Sequence, residues 1–157
     1  MATTVRQNDI LSGAERWLEV IFTIFAMMIV FWFFSAHEQG QTGFLTAEFG
    51  ITERLALYVP IFLTMIPPVI RASVGSRNAG RPWEVLANLG LAVGSVWLFF
   101  VFPFNLEYLT DVLPAFMRFP FSWITNGIAR IILVIQVLIA ILTAGGALWK
   151  YASFERE

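Results

Sequence analysis

Between Arg130 and Lys150 the chain runs through nineteen residues without a charge. As a helix rising about 1.5 Å per residue, that stretch is about 28 Å long, close to the ~30 Å of a bilayer's hydrocarbon. Two other stretches approach this length, because the charges gather at the N-terminus, around 37–54, 71–84, 107–118 and 150–157. Only 13% of residues are charged and 58% are hydrophobic, whereas ordinary soluble domains carry roughly 25% charged residues. The pattern predicts an all-α integral membrane protein, a single membrane domain over 1–157 built as a bundle of four transmembrane helices. The spans are placed at about 17–36, 54–71, 83–104 and 123–149.

Residues 1–16 are polar and mixed in charge, and the apolar run after them is too long for a cleavable signal. The first span is therefore read as an anchor that stays. Ile10 and Leu11, set among polar neighbours, point to a short amphipathic helix over 5–16 lying on the membrane surface.

Basic residues orient the spans. Arg6, Arg16, Arg71, Arg77, Arg81, Lys150 and Arg156 fall on one side, and Arg54, Arg118 and Arg130 on the other. This predicts a multi-pass protein of the cell membrane with both termini cytoplasmic. Trp17, Trp83 and Trp149 sit at the cytoplasmic ends, and Trp32, Trp97 and Trp123 toward the outer ends. Amphipathic indole rings favour both headgroup layers.

Several chemistries are missing. There is no cysteine and one histidine, His37. That excludes disulfides, thiolate nucleophiles, Cys-ligated metal and a histidine-rich metal site. No nucleophile-elbow, zinc-protease or phosphate-loop motif occurs. The net charge of −1 offers no electrostatic basis for nucleic-acid binding. A non-enzymatic protein without a cofactor is expected, and a bound lipid is compatible with the composition.

The polar residues inside the spans then carry the interest, because such groups in hydrocarbon need partners. Glu84, Asn88 and Ser95 follow at spacings of four and seven, so they form one helical stripe. Ser95 lies roughly level with Gln136, and an interhelical hydrogen bond between them is expected. Together the four form a candidate intramembrane polar network. Arg130 lies about 30 Å above Lys150, at the outer edge of the hydrocarbon. It is expected to snorkel outward or to pair in an outer-edge cluster with His37, Glu38, Glu107 and Asp111, and His37 is read as a wet residue.

Gly90 and Gly94, and Ala140 and Ala144, are candidate packing positions, since small residues four apart let helix backbones approach closely. They fit contact between the third and fourth spans, or with another subunit. Pro60, Pro67 and Pro68 predict a kink in the second span, or its end near the cytoplasmic surface. Aromatic residues at 30–34, 97–104 and 117–123 form an outer zone suited to lipid, a quinone, a pigment or a partner's helices.

The functional expectation is an accessory or scaffold subunit of a larger membrane protein complex. Its partners would be membrane lipids and other membrane subunits or further copies of itself. The alternatives are a small transporter or channel acting as a homo-oligomer, and a lipid-, quinone- or pigment-binding membrane protein.

Overall fold

The computed structural model describes residues 9–155, and the fold among them is all-helical. In chain order the helices are α1 (Gly13–Gly40), α2 (Ile51–Leu63), α3 (Ile66–Val74), α4 (Arg77–Val101), α5 (Ala115–Phe121) and α6 (Asn126–Glu155). Four helical stretches are long and apolar enough to cross a membrane: Gly13–Gly40, Ile51–Val74, Arg77–Val101 and Asn126–Phe154. Each overlaps one expected span.

The chain goes up, down, up and down. One end of the bundle, the arginine end, joins the start of α1 to the α3–α4 turn and to the end of α6. Leu11 N–H donates to the Gly75 carbonyl at 3.0 Å, and Arg81 donates to the Lys150 carbonyl at 2.9 Å. The opposite, aromatic end is closed by the segments 41–50 and 102–113. Asn105 N–H donates to the Phe44 carbonyl at 2.7 Å, and Leu106 N–H to the Asn126 side-chain oxygen at 2.8 Å.

Helix starts follow local chemistry. Ser12 caps α1 with a reciprocal pair: its hydroxyl accepts from the Glu15 N–H at 3.3 Å, and the Glu15 carboxylate accepts from the Ser12 N–H at 2.9 Å. This pairing satisfies two amides that a helix start leaves open. Ser76 caps α4 in the same sense, accepting from the Ala79 N–H at 3.3 Å. The third span therefore begins earlier than expected, and it stops at Val101 with Pro103 close behind. Of the surface helix expected over 5–16, residues 5–8 lie outside the described residues. Asp9 is helical, Ile10 forms an extended bridge with Ser76, and the first spanning helix begins at Gly13.

The second span is broken into α2 and α3 at Thr64–Met65. Pro67 and Pro68 lack the amides that would bond the carbonyls of Leu63 and Thr64. The backbone tightens there: Thr64 N–H reaches the Ile61 carbonyl at 3.2 Å and Met65 N–H the Phe62 carbonyl at 3.1 Å. Helix then resumes and runs to Gly75, whose φ of 78° suits glycine.

α4 is the centre of the bundle, packed against α2, α3 and, over the greatest length, α6. Gly90 and Gly94 face α2 rather than α6. A Cβ at Gly94 would run into the Ala56 carbonyl oxygen and lie 2.9 Å from Pro60, and one at Gly90 would lie 3.1 Å from Leu63. Pro60 explains the fit, because it cannot bond the Ala56 carbonyl and leaves it open to the α4 backbone. Ala140, Ala144 and Ala147 are buried on α6, three small positions along one face of the helix that packs on α4.

The aromatic end holds a buried cluster of Phe44, Phe102 and Leu106, with Phe33, Phe34, Phe104 and Leu133 packed around it. α5 is different. None of its residues is buried, and Phe116 and Phe119 are 80% and 86% exposed. Exposed aromatic side chains of this kind would suit a headgroup layer.

Candidate functional site

The densest polar chemistry lies at the arginine end. Arg71, near the end of α3, reaches two carboxylates from two other helices. Its Nε donates to Glu19 of α1 at 3.2 Å, and its Nη1 donates to Glu84 of α4 at 3.1 Å. A third, shorter contact joins its Nη2 to Glu19. The Arg71 side chain is only 16% exposed. Gly80 makes room for it, since a Cβ at Gly80 would lie 2.6 Å from the Arg71 stem. A cation left without partners at such a depth would be expensive, and the two carboxylates hold it there.

Around this centre, Arg77 donates to Glu15 at 3.0 Å. Arg81 donates to the Asn78 side-chain oxygen at 2.7 Å and to the Lys150 carbonyl. Asp9 accepts from the Asn78 N–H at 2.7 Å and from the Ser76 hydroxyl, which ties the segment before α1 to the start of α4. These groups border a cleft of about 760 Å³ between α1 and α6, with Glu15, Leu18 and Glu19 on one wall and Thr143, Ala147 and Lys150 on the other.

Farther along the same two helices the cleft reappears as an apolar groove of about 440 Å³. Ile29, Val30 and Phe33 line one side, and Ala129, Ile132 and Leu133 the other. α1 and α6 do not pack closely on each other.

The four residues of the expected intramembrane network do not form one chain of hydrogen bonds. Glu84 belongs to the Arg71 cluster, and Asn88 donates to the Glu84 backbone carbonyl at 2.8 Å. Ser95 is buried at 4% exposure, and no hydrogen bond joins it to Gln136 among the described residues. Gln136 is half-buried on α6.

Of the outer-edge residues, His37 feels the charge of Asp111, while the others go to different partners. Glu38 forms an ion pair with Arg54. Glu107 and Asp111 are exposed. Arg130 stacks on the Phe102 ring at 4.6 Å, and no carboxylate pairs with it among the described residues. The delocalised guanidinium suits an aromatic face better than an ammonium would.

His37 is buried at 1% exposure, against the expectation of a wet residue. The loop after α1 folds back over it. Its Nδ1 lies 2.6 Å from the Thr42 hydroxyl, its ring packs 4.3 Å from Phe44 and 4.6 Å from Phe33, and the Leu109 backbone lies close to the imidazole. The sequence signal for burial was Phe44 seven residues on, which the glycines at 40 and 43 allow to return.

The Glu53 carboxylate was not singled out by sequence. It is buried, accepting from Trp97 Nε1 at 3.2 Å and from the Gly50 N–H at 3.0 Å. Among the described residues, no group of three His, Cys, Asp or Glu side chains stands close enough together to hold a metal ion. No protein-family model matches the chain, and neither does any curated protein or solved structure.

Proposed function

We propose that this protein is a non-catalytic accessory or scaffold subunit of a larger complex in the cell membrane, with its arginine end in the cytoplasm. The observation that carries the reading is α1. No residue in its most apolar window is buried, whereas the other three spanning helices bury between 17% and 28% of theirs. α1 is latched at its two ends; between them its Phe31 ring lies 5.7 Å from Tyr58 of α2, and most of its large side chains are exposed. Beside it lies an apolar groove of about 500 Å³ shared with α2, lined by Met27, Met28 and Phe31 on α1 and Tyr58, Phe62 and Met65 beyond. Flexible, polarisable methionine side chains adapt to a partner's surface. In lipid a helix pair gains from packing rather than from hydrophobicity, so a groove of this kind favours another helix that fills it.

A mild-detergent pull-down of the tagged protein from its own membrane tests the reading. Larger subunits should co-purify in fixed ratio. Met28→Ala with Phe62→Ala should release them, while the bundle keeps its melting temperature, because both side chains are more than half exposed. Recovery of a lone chain in bulk would overturn it.

A small transporter is the second reading, favoured by the broken second span beside the Arg71 cluster, since discontinuous helices build many transport sites. Asn88→Leu combined with Gln136→Leu should then abolish flux in reconstituted vesicles. Unchanged flux removes those residues from any pathway.

A further inference from the structure

The charges at the arginine end do not all cancel. Arg71 serves Glu19 and Glu84, and Arg77 serves Glu15. Arg81 bonds only a neutral amide and a backbone carbonyl, and the Lys150 ammonium has no partner among the described residues. Arg81 and Lys150 are neighbours on the wall of the cleft, joined through the Lys150 carbonyl. Among the described residues neither cation has a carboxylate at ion-pair distance, and the four cations that line the cleft outnumber its three carboxylates, Glu15, Glu19 and Glu84, which leaves a net attraction for an anion.

Farther along α1 and α6, beyond this charged cleft, the groove is apolar. At about 100° per residue, Ala129, Leu133, Thr143, Ala147 and Lys150 of α6 share one arc of about 100°, and Gln136 falls in its middle. On α1, Glu15, Phe22, Ala26, Ile29 and Phe33 share a matching arc. The charged cleft and the aromatic groove are therefore two ends of one furrow. From Leu18 to Ile29 it runs eleven residues, about 16 Å, which is the acyl layer of one leaflet. Its middle is open, with Phe22 73% exposed and Ala26 exposed.

We propose that the furrow between α1 and α6 seats one anionic phospholipid, with its phosphate on Arg81 and Lys150 and its acyl chains running toward Phe33. The charge of the two cations selects the headgroup. The length of the furrow, charged at one end and apolar beyond, selects a lipid. The site lies on the side of α1 away from the α2 groove, so it stands or falls independently of the accessory reading.

The test uses the full chain in detergent, equilibrated with vesicles of equal phosphatidylglycerol and phosphatidylcholine with identical acyl chains, then delipidated and read by native mass spectrometry. One phosphatidylglycerol per chain should remain, in preference to phosphatidylcholine. Lys150→Gln removes an exposed charge and should lower retention about fivefold, the effect of about 1 kcal/mol per cation near a membrane surface. Ala26→Trp fills the middle of the furrow from an exposed position and should abolish retention without touching a charge. Val93→Trp, on an exposed position of α4, should leave it unchanged. Equal retention of the two lipids, or retention indifferent to both Lys150→Gln and Ala26→Trp, overturns the proposal.

Discussion

At the scale of residues, the bundle rests on a few positions where a small side chain lets something larger in. Gly94 admits the Ala56 carbonyl, and Gly80 admits the Arg71 stem. Gly94→Val should therefore push α2 off α4 and lower stability by about 1–3 kcal/mol, as overpacking does. Reversible unfolding in mixed micelles measures this, and a neutral outcome would mean that α2 sits elsewhere. Arg71→Leu leaves Glu19 and Glu84 facing each other without their cation. It should cost about 1–3 kcal/mol, and Arg71→Lys should recover only part of that, because one ammonium cannot reproduce the fork that spans two carboxylates. This cluster was not legible beforehand. Glu19 and Arg71 are 52 residues apart, and no spacing rule joins them. A weaker signal was present, since Glu19, Arg71 and Glu84 all fall within a turn or so of the same membrane edge. The Ser95–Gln136 pair shows the converse: equal depth is readable from helix rise, but which faces meet is decided by neighbours. Gly94 turned toward α2, and Ser95, about 100° away on the same helix, turned with the backbone rather than toward any one amide.

At the scale of elements, the four apolar stretches were readable because hydrocarbon thickness and helix rise leave little freedom in where charges fall. Their ends were less readable, because Ser76 and Ser12 extend helices into polar sequence by capping. The break in the second span was readable from chemistry, since paired prolines remove two consecutive donors. Its consequence is testable. Pro67→Ala with Pro68→Ala restores donors toward the Leu63 and Thr64 carbonyls, and α2 and α3 should merge. Amide exchange at residues 63–66 should slow markedly, and unchanged exchange would place the cause of the break outside the prolines. α5 makes its own prediction. Phe116→Ala with Phe119→Ala should leave folding intact, because neither side chain is buried, and should weaken the hold of residues 115–121 on the headgroup layer. Fluorescence of the neighbouring Trp123, with lipid-borne quenchers at graded depth, reads that change.

At the scale of the whole molecule, two ends with different chemistry face each other across an apolar waist. Basic groups concentrate where α1 begins and α6 ends, and aromatic rings close the other end. The orientation that this suggests can be read without background, because the chain contains no cysteine. Ser153→Cys in intact cells should resist a membrane-impermeant maleimide, and Thr110→Cys should react. The reverse labelling would invert the topology. The contacts that secure α1 also bear on how the protein is made. α1 is the first of the described helices to leave the ribosome, yet its partners lie downstream: Arg54, Tyr58 and Arg71, all in the second span, with Gly75 and Phe104 beyond them. At the arginine end Glu19 and Arg71 are 52 residues apart. In the membrane reading, α1 would wait as a lone helix until the second span has been synthesised. In that interval its own hydrophobicity would be all that keeps it in the bilayer, which gives a reason for its middle to be apolar on every side.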